Sequence, residues 1–200
     1  MNRFFVVVLF VLICGVASAQ AEDTYLAVKA GGFLPNGKGD ATNQGGLKDF
    51  DTGYNMEVAI GFRPASYAAI EAASGFYTSE RQDTVNGSST KATIYGVPVT
   101  ITAKGIIPLN KADFFVGAGA GYYFGVLDQS GQPRSSSSHG NALGYHIVGG
   151  FDYNISEHYS LGSEIKWFST KPEFDANNSG VKTKWELGGT TLGLGMKYKF

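Results

Sequence analysis

The sequence predicts an all-β fold: an eight-stranded antiparallel up-and-down β-barrel that crosses a membrane with strands. Three observations predict it. Apolar residues recur at every second position in eight segments, the connections between those segments alternate between long and short, and glycine is abundant where charge is scarce. Of the 200 residues, 28 are glycine and 16% are charged, against usual levels of roughly 7% and 25%. Glycine at that level opposes long helices, and an aromatic content of 14% opposes disorder, because disordered chains lack residues to bury. The 16 basic residues are balanced by 17 acidic ones, which excludes the strongly basic face that binding to phosphate backbones needs. No nucleic-acid partner is expected, and the length suits one domain.

The first element is an address. Met1-Asn2-Arg3 is a short basic start, Phe4 to Val16 is almost wholly apolar, and Ala17-Ser18-Ala19 is a small-x-small cleavage pattern, as in a secretory signal peptide. Residues 1–19 are therefore read as the signal peptide, cut after Ala19 or alternatively after Ala21, and residues 20–200 as the barrel domain. The apolar run is shorter than the ~20 residues a spanning helix needs. The sole cysteine, Cys14, lies within it, so no disulfide, thiol nucleophile or thiolate metal site is expected in the mature chain.

The strands follow in order. Tyr25 to Leu34 sets Leu26, Val28 and Leu34 against Lys29 and Gly31. Met56, Val58, Ile60 and Phe62 alternate with Asn55, Glu57, Ala59 and Gly61, and Ile70, Ala72, Ser74 and Phe76 with Glu71, Ala73 and Gly75. Val97, Val99, Ile101 and Ala103 alternate with Pro98, Thr100, Thr102 and Lys104. In the fifth segment Phe114, Val116, Ala118, Ala120 and Tyr122 oppose Phe115, Gly117, Gly119, Gly121 and Tyr123. Tyr145, Ile147, Phe151 and Tyr153 then oppose Gly144, His146, Gly150 and Asp152, and Leu161, Ile165 and Trp167 oppose Gly162, Glu164 and Lys166. The eighth segment sets Leu192, Leu194, Met196, Tyr198 and Phe200 against Gly193, Gly195, Lys197 and Lys199. Each is the period-two pattern of a half-buried strand.

Pro35 to Thr52, Ser79 to Lys91, Leu127 to Asn141 and Thr170 to Thr183 read as long polar loops, and Arg63 to Tyr67, Ile107 to Asp113 and Asn154 to His158 as short turns. Antiparallel hairpins of this kind put all long loops at one end and both termini at the other. Alternation alone leaves open which face is wet, since a soluble ligand-binding barrel points its apolar face inward and a membrane barrel points it at lipid. The polar face carries Gly31, Gly61, Gly75, Gly117, Gly119, Gly121, Gly193 and Gly195. Glycine weakens a solvent-facing strand, whereas the interior of a small barrel has room for little else among its larger side chains. Aromatic residues such as Tyr54, Phe62, Phe76, Tyr122, Tyr145, Tyr159 and Trp167 collect near strand ends on the apolar face, where ring and polar tip suit the rims of a bilayer. The polar face is read as the inside.

The closing run Leu192-Gly-Leu-Gly-Met-Lys-Tyr-Lys-Phe200, with Tyr25-Leu-Ala-Val-Lys-Ala-Gly-Gly-Phe-Leu-Pro35 and Gly144-Tyr-His-Ile-Val-Gly-Gly-Phe-Asp-Tyr153, resembles the small eight-stranded outer-membrane β-barrel family of Gram-negative bacteria, the OmpA/OmpX-like, porin-like group. The resemblance implies an outer-membrane location with the long loops outside the cell, and partners in outer-membrane lipid and lipopolysaccharide. It also implies recognition by the outer-membrane assembly machinery through the final strand, with Tyr198 and Phe200 as the signal. It extends to the barrel alone, without the periplasmic peptidoglycan-binding domain of full-length OmpA-type proteins, so no cell-wall tether is expected.

Facing the polar side inward puts Lys29, Glu57, Glu71, Lys104, His146, Asp152, Glu164, Lys166 and Lys197 in the lumen. Charges of mixed sign can pair there, giving either a structural plug or a narrow polar path for a solute. Glu57 and Glu71 lack the accessible cleft that carboxylate acid/base work requires. Some small outer-membrane barrels are lipid A deacylases with a Ser-His pair, but His158-Tyr159-Ser160 falls at a short turn, with Leu161 where that pattern has Asn. His139 lies in the long 127–141 connection, His146 is single, and the three histidines lack metal-ligand spacing. Gly117-Ala-Gly-Ala-Gly121 lacks the lysine and following helix of a phosphate loop. The expected protein is monomeric, without cofactor and non-enzymatic, contributing to envelope integrity or surface interaction through its long loops. Porin-like transport of small solutes is the alternative, and lipid A modification the remote one.

Overall fold

A computed structural model describes residues 24–35, 51–85, 88–130, 136–171, 173–175, 182–184 and 187–200. The signal-peptide reading, most of the 35–52 connection and Arg134 lie outside the described residues. Among the described residues there are ten strands: β1 (Thr24–Pro35), β2 (Gly53–Ala65), β3 (Ala68–Val85), β4 (Ser88–Leu109), β5 (Ala112–Ser130), β6 (Ser136–Asn154), β7 (Tyr159–Thr170), β8 (Glu173–Asp175), β9 (Lys182–Lys184) and β10 (Leu187–Lys199). Eight of them form one closed antiparallel barrel in the order β1-β10-β7-β6-β5-β4-β3-β2, and β8 pairs with β9 in a separate ribbon. Closure is what lipid demands, because a bilayer offers no partner to an unpaired N–H or C=O.

The start of β1 and the end of β10 meet at the short-turn end, where the Phe200 N–H donates to the Thr24 carbonyl at 3.0 Å. The turns there are tight. Leu109 pairs with Ala112 across Asn110 and Lys111, and Asn110 takes a φ of 50°, the left-handed conformation that primed hairpin turns require and asparagine tolerates. The β2–β3 register shifts between Phe62 and Ala65, a bulge at Arg63-Pro64 that suits a residue with no N–H to give. The β3–β4 ladder is interrupted between Ser74↔Val99 and Tyr77↔Gly96, where Pro98 likewise cannot donate.

Three of the long-loop readings need correction. β3 runs on to Val85 and β4 begins at Ser88, while β5 reaches Ser130 and β6 begins at Ser136. The 79–91 and 127–141 segments are therefore mostly hairpin arms, and His139 is a strand residue paired with Val126. The 170–183 segment contains β8 and part of β9, with β8 lying beside β6. Ser, Thr and Gln here carry no apolar alternation to announce a strand; a ladder already running up the neighbouring strand extends them.

The faces divide as the alternation requires. Val116, Leu143, Leu194, Ile101 and Leu192 stand outward and are exposed, forming the lipid-facing surface. Inward-facing residues are buried, among them Ala27, Ala59, Ala73 and Val148, together with a polar set from Glu71 to Lys166. Tyr25, Phe33, Tyr77, Phe115, Tyr123 and Phe168 are also buried inside, so aromatic residues line the lumen as well as the outer rims.

Candidate functional site

The lumen is filled, and its filling is layered. In the middle, three lysines and three glutamates from β1, β2, β3, β4 and β7 close into a ring of alternating sign. Lys29 Nζ donates to Glu57 Oε1 at 3.0 Å, to Glu71 Oε1 at 2.9 Å and to Glu164 Oε2 at 2.9 Å. Lys104 Nζ donates to Glu71 Oε2 at 2.8 Å and Glu164 Oε2 at 3.0 Å. Lys166 completes the circuit, donating to Glu57 Oε2 and standing 3.7 Å from Glu164 Oε1. The Tyr25 hydroxyl adds a further bond to Glu71 Oε2 at 2.9 Å.

Formal charges within the ring cancel, which is the condition for keeping ions out of bulk water. Glu71 is 1% exposed and Lys104 5%. The stems of these side chains need room along the wall, and glycine supplies it: a Cβ at Gly195 would sit 2.9 Å from Lys29 Cγ. Glu57 and Glu71 are thus bridged by Lys29, and both carboxylates are engaged as acceptors.

Toward the long-loop end the filling turns aromatic. Phe33 stands 4.7 Å from Tyr77 and 5.8 Å from Phe168, and Phe168 stacks on Tyr123 at 5.3 Å with planes 11° apart. Ile94 joins this cluster. The Tyr77 ring lies over Gly96, where any Cβ would collide with it. His146 is also buried; its Nε2 lies 2.8 Å from Thr102 Oγ1, and its Nδ1 has no protein partner.

Toward the short-turn end the charges pair in separate couples. Lys197 donates to Asp152 Oδ2, and Arg63 Nη1 to Asp113 Oδ2 at 2.8 Å. Sequence reasoning named Lys197 and Asp152 but not Arg63, Asp113 or Lys199, because turn-proximal charges look like ordinary solvated ends. Tyr198 and Phe200 stand on the outer face with their rings 5.2 Å apart, and Tyr159 is 5.2 Å from Tyr198.

The histidine and serine of the 158–160 segment bond to different partners. His158 Nδ1 lies 3.0 Å from the Lys199 carbonyl, whereas Ser160 Oγ donates to Asn154 Oδ1 at 2.7 Å. Among the described residues no group of three His, Cys, Asp or Glu is placed to hold a metal ion.

Residues 6–200 match the family described as the outer membrane protein beta-barrel domain, and the chain belongs to that family. Among solved structures it is similar to the Neisserial surface protein A, with 13% identity and a TM-score of 0.59 over 88% of this chain and 97% of that one. It is also similar to the outer membrane protein OprG from Pseudomonas aeruginosa, with 16% identity and a TM-score of 0.61 over 90% and 97%. A third is Ail, the attachment invasion locus protein of Yersinia pestis, solved in complex with the heparin analogue sucrose octasulfate, with 13% identity and a TM-score of 0.52 over 88% and 99%. No curated protein matches the chain significantly. The family gives the fold and an outer-membrane location.

Proposed function

We propose that this outer-membrane barrel is non-enzymatic and works through its long-loop face, contributing to envelope integrity or surface contact while its lumen stays shut. The observation that carries this reading is strand length. β4 has 22 residues and β1 has 12, where a tilted strand needs about 9–11 to cross the hydrocarbon. The surplus ten residues of β4 correspond to roughly 30 Å of extra strand at ~3.3 Å per residue. β3, β4, β5 and β6 are hydrogen-bonded side by side over this region, with Lys91 opposite Ser130 and Gln82 opposite Lys91. A sheet standing clear of the membrane offers a surface that short loops would not.

In this role the partners are outer-membrane lipid, lipopolysaccharide and whatever surface the sheet meets. Tyr198 and Phe200 address the chain to the assembly machinery after removal of residues 1–19, and the barrel acts as a monomer. Ail and the Neisserial surface protein, named for attachment and for the cell surface, lend the reading support at the level of fold. Protease added to intact cells is expected to cut within the 127–141 connection; cutting only after the outer membrane is breached overturns the orientation.

Gated passage of small solutes is the competing reading. It draws on Lys29, which touches three carboxylates and so has alternative partners at hand. A filled interior predicts little or no current in planar bilayers. Regular single-channel steps that vanish on Lys104→Gln or Glu164→Gln would replace the sealed reading with the transport one.

A further inference from the structure

The mouth at the short-turn end holds a cavity of about 190 Å3 that lies below the ionic ring and shares only Lys104 with it. Its charged lining is Arg63, Lys104, Lys197 and Lys199 against Asp113 and Asp152. Arg63 is matched by Asp113, Lys197 by Asp152, and Lys104 turns its ammonium away from the mouth to Glu71 and Glu164. Lys199 remains. Its Nζ donates to Asn154 Oδ1 at 2.7 Å, a neutral amide, and it meets no carboxylate among the described residues. Among the described residues the lining therefore carries one positive charge in excess, beside Arg63, whose Nη1 donates to Asp113 and whose Nη2 donates to the Ser66 carbonyl at 2.5 Å.

Apart from Thr24, the rest of the lining is aromatic or aliphatic. Tyr25, Phe115 and Ile106 face the same space, with Lys197 4.4 Å from the Tyr25 ring centroid and Lys104 4.6 Å from that of Phe115. Above them the tube is stopped by the ionic ring. A solute that enters here leaves by the same opening.

We propose that this mouth is a binding site for a small organic carboxylate with a short apolar or aromatic body. The carboxylate is held by Lys199 and Arg63, and the body lies against Phe115, Tyr25 and Ile106. The volume is below the ~300–1,000 Å3 of pockets that take drug-sized ligands, which limits the body to about one ring. The site rests on the barrel's own geometry and is independent of what the long-loop face does. With the short turns in the periplasm, the ligand is drawn from there.

The test uses the full mature chain folded in zwitterionic micelles, with benzoate as the probe and benzamide as its neutral isostere, followed by amide chemical shifts. Benzoate is expected to bind saturably, shifting Tyr25, Phe115 and Lys199, and benzamide to bind roughly tenfold more weakly or not at all, as one charge-assisted contact is lost. Lys199→Gln should weaken benzoate by a similar factor and Lys199→Arg should restore it. Asp113→Asn, which frees Arg63, should tighten it, and this variant leaves the final strand untouched should Lys199→Gln fail to fold. Equal binding of benzoate and benzamide, no saturation, or unchanged affinity in both Lys199→Gln and Asp113→Asn would overturn the proposal.

Discussion

At mid-lumen, six charged side chains meet through short hydrogen bonds. Nearer the long-loop end, Phe33, Tyr77, Tyr123 and Phe168 meet through ring faces. The two layers occlude the same tube, and their side chains come from overlapping strands. They differ in what a lost member leaves behind. A missing ring leaves a void, whose cost scales with unfilled volume and is felt locally. A missing charge leaves an imbalance, felt by every ion in the circuit and costing the desolvation of a group now without a counter-charge. The ring is therefore cooperative and the aromatic layer modular.

The largest expected effect tests that cooperativity directly. Glu71 accepts from Lys29, Lys104 and Tyr25, so Glu71→Gln leaves three buried ammonium groups facing two carboxylates and should destabilise the folded barrel by about 3–5 kcal/mol, read from urea titration in micelles. A loss below about 1 kcal/mol would mean that water solvates the ring freely. Phe168→Ala, at the centre of the aromatic contacts, should cost roughly 3 kcal/mol and show no dependence on salt. Removing Glu57 and Lys166 together, as Glu57→Gln with Lys166→Met, should be milder than Glu57→Gln alone, with a coupling of about 1–3 kcal/mol; additive losses would make the ring as modular as the aromatic layer. The smallest effect lies outside the lumen. Glu80 and Lys91 pair at 2.9 Å with both side chains about half exposed, and Lys91→Ala should change stability by no more than ~0.5 kcal/mol.

Period-two alternation carries one bit per residue, inward or outward, and that bit was readable along the chain for Lys29, Glu57, Lys104 and Lys166. It says nothing of height along the barrel axis, which depends on the stagger between strands. Hence the sequence shows that Lys29 and Glu164 share a face but not that they touch across 135 positions. Nor does it separate Lys197, bound to Asp152, from the lysines of the ring. Phe33 and Phe168 escaped for a related reason: an aromatic residue on the polar face looks like an exception to the pattern until its partners on three other strands are known. The hairpin arms were missed because Ser-, Thr- and Gln-rich segments have no preferred face. Their strand character comes from the neighbouring ladder, a non-local cause.

The seam between β1 and β10 sets the order in which this molecule can be made. Tyr25 lies opposite Lys199 and Pro35 opposite Gly189, so the pairing that shuts the barrel joins the first strand to the last. All other barrel pairings link consecutive barrel strands, and closing their loops is entropically modest. The seam must wait until the whole chain has been synthesised and delivered, which makes folding intrinsically slow and leaves two unsatisfied sheet edges open until its final step. A chain cut before β10 would be no smaller barrel. It would be an unclosed ribbon needing an escort for as long as it lasts.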